Sequence, residues 1–145
     1  MDQKDFLARL DQRSIVDAIT EAESRTSGEI RVHVQPKAGD DIRNVAERTF
    51  ERLGMTKTNL HNGVLLFIAS EENGFVILGD KGIDDAVPAG FWDEIAAKLT
   101  IRFKAGEFTQ GIVDAITAAG EQLRTYFPHE ADDVDELSNE VSIDD

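Results

Sequence analysis

The chain has 145 residues, with 29 acidic against 15 basic residues and a formal net charge of −14. A chain this acidic lacks the positive charge that binds phosphate backbones or anionic lipid, which excludes nucleic-acid binding and electrostatic membrane attachment as leading functions. The absence of cysteine excludes disulfides, thiolate metal sites and cysteine nucleophiles. The length and the hydrophobic fraction of 41% fit one globular domain.

Apolar spacing predicts the elements of the first half of the chain. Ile15 and Ile19 lie at helical spacing, so we expect a helix over about 14–26 with Ser14 as its N-cap. Residues 29–34 alternate polar and apolar side chains, which is typical of a half-buried strand. Asp41 is positioned to cap a second helix, for which Gly54 is the C-terminal stop.

The second half begins with a continuous apolar run. Residues 63–69 form this run, which predicts a central strand buried on both faces. A turn over 70–74 leads to a third strand over 75–78, and helices are expected over 91–104 and 108–127.

The resulting order, α-β-α-β-β-α-α, determines the expected topology. The first strand, the second helix and the second strand form a βαβ unit, so these two strands are parallel. The connection to the third strand is too short for a parallel crossover, so that strand is antiparallel. We expect an α/β fold, specifically a three-layer α/β/α sandwich around a small mixed sheet.

The C-terminal residues differ in charge from the rest. Residues 129–145 hold eight acidic residues and no Lys or Arg, and Pro128 marks the boundary. We therefore divide the chain into a domain over 1–128 and an acidic tail over 129–145. Val134, Leu137 and Val141 fall at helical spacing, so we expect the tail to be partly ordered or docked on the domain, the alternative being a solvated tail.

The predicted hairpin gathers acidic side chains at one sheet edge, because the third strand ends where the first two begin. Carboxylate and amide oxygens suit hard cations such as Ca²⁺, which takes about six to eight oxygen ligands. The scattered histidines argue against Zn²⁺. An equally open interpretation is ordinary turn chemistry, with the first carboxylate on the exposed half of its strand. The candidate metal ligands are Glu29, Asn62, Asp80, Asp84 and Asp85.

No sequence motif assigns a catalytic residue. Walker, dinucleotide-binding and nucleophile-elbow motifs are absent, so the catalytic residues are unknown and no organic cofactor is expected. His33 is placed at a solvent-facing or half-buried strand position, and His61, beside the acidic edge, is the better functional candidate.

An ordered set of motifs resembles the TPM domain family, named for thylakoid and photosystem-repair phosphatase-like proteins and a worm acetylcholine-receptor modulator. The set comprises residues 28–30, the helix opening at Asp41, residues 62–66, residues 82–84 and residues 103–112. The resemblance spans roughly residues 10–127.

The resemblance implies an α/β/α sandwich, cation-binding acidic loops in some members and acid phosphatase activity claimed for plant members. Glu29, Asn62 and Asp84 match the family's polar edge positions. Asp80 and Lys81 do not match a family residue; Asp80 is a candidate on geometry alone.

The acidic edge, the family resemblance and the acidic tail suggest three alternative functions. The first is a divalent-cation-binding module, for Ca²⁺, with a maintenance or stress role through a protein partner. The alternatives are a metal-dependent acid phosphatase and a non-enzymatic interaction protein that acts through its acidic tail. The sequence shows neither an export signal nor an apolar stretch of membrane-spanning length, so we expect a cytoplasmic monomer with no membrane span.

Overall fold

A computed structural model describes residues 1–129 and 137–145 of the chain. Its helices are α1 (Gln3–Ala8), α2 (Gln12–Glu23), α3 (Ile42–Arg52), α4 (Lys81–Ala86), α5 (Phe91–Lys104) and α6 (Phe108–Tyr126). Its strands are β1 (Glu29–Gln35), β2 (Gly63–Ala69), β3 (Gly74–Gly79) and β4 (Ser142–Ile143), and a 3-10 turn covers Met55–Lys57.

The strands form one mixed sheet in the order β3-β2-β1-β4. β1 pairs with β2 in parallel through the α3 crossover, and β2 pairs with β3 as an antiparallel hairpin. These relations confirm the predicted topology. The parallel pairing of β4 with β1 adds a fourth strand that the sequence pattern does not predict.

Helices cover both faces of the sheet. One core joins α1, α2, α5 and α6 to the face of β1 that carries Ile30, Val32 and Val34. The other core joins α3 and the 3-10 turn to the face that carries Leu65 and Phe67 of β2. The expected α/β fold with three layers is thereby confirmed. None of the helices within residues 1–129 and 137–145 combines the length with the hydropathy that a bilayer span requires.

Helix boundaries follow the capping side chains. Asp41 accepts a hydrogen bond from the Asn44 amide at 3.0 Å, as a helix N-cap does, which confirms its predicted role. The prediction that Ser14 is the N-cap of α2 is wrong. Asp11 accepts from the Ser14 amide at 3.1 Å instead, and α2 starts at Gln12 and ends at Glu23.

Residues 137–145 lie against the sheet and the helices around it. The Asp144 amide donates to the Val34 carbonyl at 3.0 Å, which continues the short β1–β4 pairing. The Asp144 carboxylate lies 2.8 Å from Arg52 of α3. The Asp144 main-chain carbonyl accepts from the Gln3 side-chain amide of α1 at 2.5 Å. This segment thus joins a strand to helices on both sides of the sheet.

The helical stripe expected in the tail does not extend over these residues. Leu137 and Val141 pack on the two cores, but residues 137–145 contain only bends and the short strand β4. This part is docked on the domain in an extended conformation, because pairing with β1 requires an extended backbone. Val134 lies outside the described residues, and the domain boundary at 128 stays a prediction.

Candidate functional site

The acidic edge, defined as Glu29, Asn62, Asp80, Asp84 and Asp85, lies where β1 and β2 begin and β3 ends. Glu29 is in register with Gly63, which follows Asn62. Gly79 of β3 pairs with Val64, and the Asp80 amide donates to the Gly63 carbonyl at 2.8 Å. The topology therefore brings Glu29, Asn62 and Asp80 to neighbouring backbone positions, as the sequence predicts.

A glycine holds α4 against the loop before β2. The Gly82 amide donates to the His61 carbonyl at 2.7 Å. A Cβ atom at Gly82 would lie 2.3 Å from the Leu60 carbonyl oxygen and 2.6 Å from that of His61, which is too close for any other residue. His61 itself has a φ of 50°, in the left-handed region. These contacts fix the position of α4 relative to the edge.

Asp80 is the N-cap of α4, and only one of its carboxylate oxygens has a donor. Oδ1 accepts from the Lys81 amide at 2.8 Å. Oδ2 is buried, and among the described residues no group donates a hydrogen bond to it. The imidazole Nδ1 of His61 lies 3.4 Å from Oδ2. An inward-facing carboxylate oxygen of this kind is available to a ligand.

Glu29 and Asn62 are buried, with exposures of 2% and 1%. The Asn62 side-chain amide donates to the Ser27 hydroxyl at 3.4 Å, and the Asn62 main-chain carbonyl accepts from the Glu29 main-chain amide at 3.4 Å. The alternative that Glu29 occupies an exposed half of the strand is wrong, since both faces of β1 are covered. Both residues form the inner wall of the edge.

Asp84 and Asp85 lie on the outer side of the edge, exposed on α4. Asp84 Oδ1 accepts from Trp92 Nε1 of α5 at 2.9 Å, so this carboxylate is turned toward a helix. Among the described residues, no three His, Asp or Glu side chains come close enough to hold a metal ion together. The structure therefore gathers the five predicted residues at one edge without forming a compact carboxylate cluster.

Trp92 of α5 contributes to the edge, although no sequence motif indicates it. It packs against Gly79 of β3, and its indole N–H donates to Asp84 Oδ1. The available signal was the indole itself, since a partly buried tryptophan usually gives its N–H to a nearby acceptor.

His33 lies away from the acidic edge and is fully buried, so the prediction of a solvent-facing or half-buried position is wrong. Its ring stacks on Phe67 at a centroid distance of 5.4 Å. Nδ1 lies 2.9 Å from the Ser142 hydroxyl, and Nε2 lies 2.9 Å from Gln35 Oε1. The C-terminal segment covers a position that the alternation within β1 alone would expose.

Comparison with known proteins places this geometry in a family. A family model of the TPM domain matches residues 1–122. The NMR structure of the BA42 protein from the psychrophilic bacterium Bizionia argentinensis is similar, with 47% sequence identity over 92% of each chain and a TM-score of 0.85. No curated protein matches at a significant level. The chain belongs to the TPM domain family.

Proposed function

We propose that this protein is a divalent-cation-binding module that takes Ca²⁺ at the acidic edge, with Asp80 as the central ligand. The observation that carries the proposal is Asp80 Oδ2, a buried carboxylate oxygen to which no described group donates a hydrogen bond. Burial of an ionised oxygen without donors is costly, and a bound cation would remove that cost.

The donors near Asp80 are those that Ca²⁺ prefers. Carboxylates of Asp84 and Asp85 lie on the following helix turn, and the amide of Asn62 and main-chain carbonyls lie on the facing loop. All are oxygen donors, which favours a hard cation over Zn²⁺. Because three side-chain carboxylates do not converge among the described residues, main-chain oxygens and water would complete the shell.

This ligand set predicts modest affinity. Sites with few charged ligands bind Ca²⁺ with dissociation constants of about 0.1–1 mM. Such a site is occupied only at Ca²⁺ concentrations of about 0.1–1 mM, and α4 forms the exposed surface beside it. We propose that a protein partner reads this surface, which is the setting for the maintenance or stress role.

The test is a Ca²⁺ titration of the full chain, followed by backbone amide NMR. We expect amides near Glu29, Asn62 and residues 80–85 to shift with a dissociation constant of about 0.1–1 mM. Asp80→Asn keeps the helix cap but removes a charged ligand, and we expect it to weaken binding at least about tenfold.

Asp41→Asn is the matched control, since Asp41 also caps a helix through its carboxylate but lies beyond the other end of the sheet. It should bind Ca²⁺ like the wild type. Equal affinity of Asp80→Asn and wild type would contradict the proposal.

Hydrolysis of p-nitrophenyl phosphate separates this function from the phosphatase alternative. The proposed module shows no metal-dependent turnover above the buffer rate. Turnover that requires the metal and disappears in Asp84→Asn would establish the phosphatase instead.

A further inference from the structure

An apolar cavity of about 380 Å³ lies at the opposite end of β2 from the acidic edge. Its wall includes Ile68 and Ser70 at the carboxyl end of β2 and residues of the turn into β3. The carboxyl ends of parallel strands are where ligands usually bind in open α/β sheets. The volume falls within the range of roughly 300–1,000 Å³ typical of small-molecule sites.

Four phenylalanine rings line this cavity. Phe103 lies edge-on to Phe108 and Phe75, with ring centroids 5.3 and 5.8 Å apart, and Phe6 lies 5.0 Å from Phe108. Four elements contribute these rings, so their arrangement is fixed by the packing of α1, β3, α5 and α6. Ring edges and faces of this kind favour an aromatic guest in an edge-to-face or offset arrangement.

The opening of the cavity carries a cation. Of its lining residues, Lys104 alone has an ionisable side chain, although the protein as a whole is strongly acidic. Lys104 is exposed, and in the described part of the chain no Asp or Glu pairs with it. Its position in the last turn of α5 suits the helix dipole but leaves the ammonium group available to a ligand.

We propose that this cavity is a binding site for a small arylalkyl monocarboxylate, with the ring among the phenylalanines and the carboxylate at Lys104. Thr100 lines the cavity one helix turn before Lys104. Its hydroxyl donates a hydrogen bond to the Ala96 carbonyl at 2.9 Å. The lining is thus mainly apolar, with the Lys104 side chain and the N-terminal amine of Met1 as its basic groups, a pattern that suits an amphiphilic anion. This site is independent of the proposed Ca²⁺ site.

The probe is 4-phenylbutyrate, titrated into the full chain with EDTA present and followed by backbone amide NMR. We expect saturable shifts confined to the residues that line the cavity, near Phe6 and over 68–75 and 100–108, with a dissociation constant of about 1 mM or tighter. The neutral 4-phenylbutyramide should bind more weakly to the wild type. Absence of shifts at about 10 mM ligand, ten times the expected constant, would overturn the proposal.

Two variants separate the parts of the site. Thr100→Phe places a ring in the cavity and should weaken 4-phenylbutyrate binding at least about tenfold. Lys104→Gln should weaken binding of the acid about threefold or more and leave binding of the amide unchanged. Lys98→Gln, on the same helix but outside this cavity, is the matched control and should bind like the wild type.

Each variant gives a decisive result. If Thr100→Phe does not fold, comparing the binding of the acid to Lys104→Gln and to Lys98→Gln still distinguishes the site from general hydrophobic adsorption. Equal effects of Lys104→Gln and Lys98→Gln on the acid would show that the charge at the mouth has no role and would overturn the proposed ligand class.

Discussion

His33 is a titratable group whose charge the fold suppresses. Gln35 Oε1 is an acceptor, so Nε2 carries the proton of the neutral ring and Nδ1 accepts from the Ser142 hydroxyl. Burial lowers the pKa of His33, an effect that Gln35 and the Asp144 carboxylate oppose and that two nearby arginines, Arg52 and Arg31, reinforce. The folded protein therefore holds the ring in its neutral form.

The lowered pKa predicts a loss of stability on mild acidification. The unfolded chain takes up a proton near the ordinary histidine value of 6.5, whereas the folded chain does not until lower pH. The contribution is fully present above that value and decreases as the pH falls below it, by at most about 1.4 kcal/mol per pH unit. Urea unfolding from pH 7.5 to 5 measures the effect.

His33→Gln is the appropriate comparison, because it keeps every carboxylate that titrates in the same range. Its unfolding free energy should fall less steeply with decreasing pH than that of the wild type. Parallel pH profiles for the two proteins would show that His33 does not contribute.

Among the elements, those with strong local patterns are the ones that the sequence predicts. β2 and α5 have the predicted bounds, because a buried apolar run and a helical stripe are properties of adjacent residues. The sequence does not predict α4 and β4, because the positions of these two elements depend on contacts with residues that are distant in the chain. Ile83 of α4 is buried and Gly82 contacts a loop about twenty residues away, whereas β4 pairs with a strand 109 residues earlier.

The same distinction applies to the acidic edge. Strand order alone places Glu29, Asn62 and Asp80 together, so the edge follows from the predicted topology. The direction of each side chain depends on α4, which the pattern does not indicate. Thus the contact of Asp84 with Trp92 and the inward position of Asp80 Oδ2 emerge only in the structure.

The contact between α4 and the loop predicts that Gly82→Ala is destabilising. The new methyl group would meet two main-chain carbonyls, which cannot rotate away as a side chain can. We expect a loss of about 1–3 kcal/mol in unfolding free energy, measured by urea denaturation in EDTA. Asp85→Ala, exposed on the same helix, should change it by no more than about 0.5 kcal/mol. Equal stability of Gly82→Ala and wild type would contradict this close approach.

At the scale of the whole molecule, residues 137–145 connect parts of the fold that are distant in sequence. The side chains of Asn139 and Asp144 contact Thr20 of α2 and Arg52 of α3. The Asp144 main-chain carbonyl accepts from Gln3 of α1, and β4 pairs with β1. The charge of these residues resembles that of a solvated tail, but their contacts are those of a structural element. The composition of the segment shows only that it is acidic. Its position in the fold depends on pairing with residues that are distant in the sequence.

Removal of residues 137–145 should therefore lower the melting temperature by about 5 °C or more, because it exposes His33 and breaks the pairing with Arg52. Differential scanning calorimetry measures the change. Replacing the segment with Gly and Ser at equal length should have the same effect, which excludes a chain-length artefact. An unchanged melting temperature would mean that the segment does not stabilise the domain.

The late position of β4 in the sequence has a consequence for the order of folding. β1 and β2 can pair through a local crossover, but Ser142 follows His33 by 109 residues, so the outer edge of β1 remains open while the intervening chain is made. An open strand edge invites pairing with another chain. Glu23 accepts from the Ile30 amide on β1 at 2.8 Å, which occupies one donor of the strand without requiring β4. Through this carboxylate, the preceding helix α2 satisfies a main-chain donor on the edge of β1 that lies next to β4.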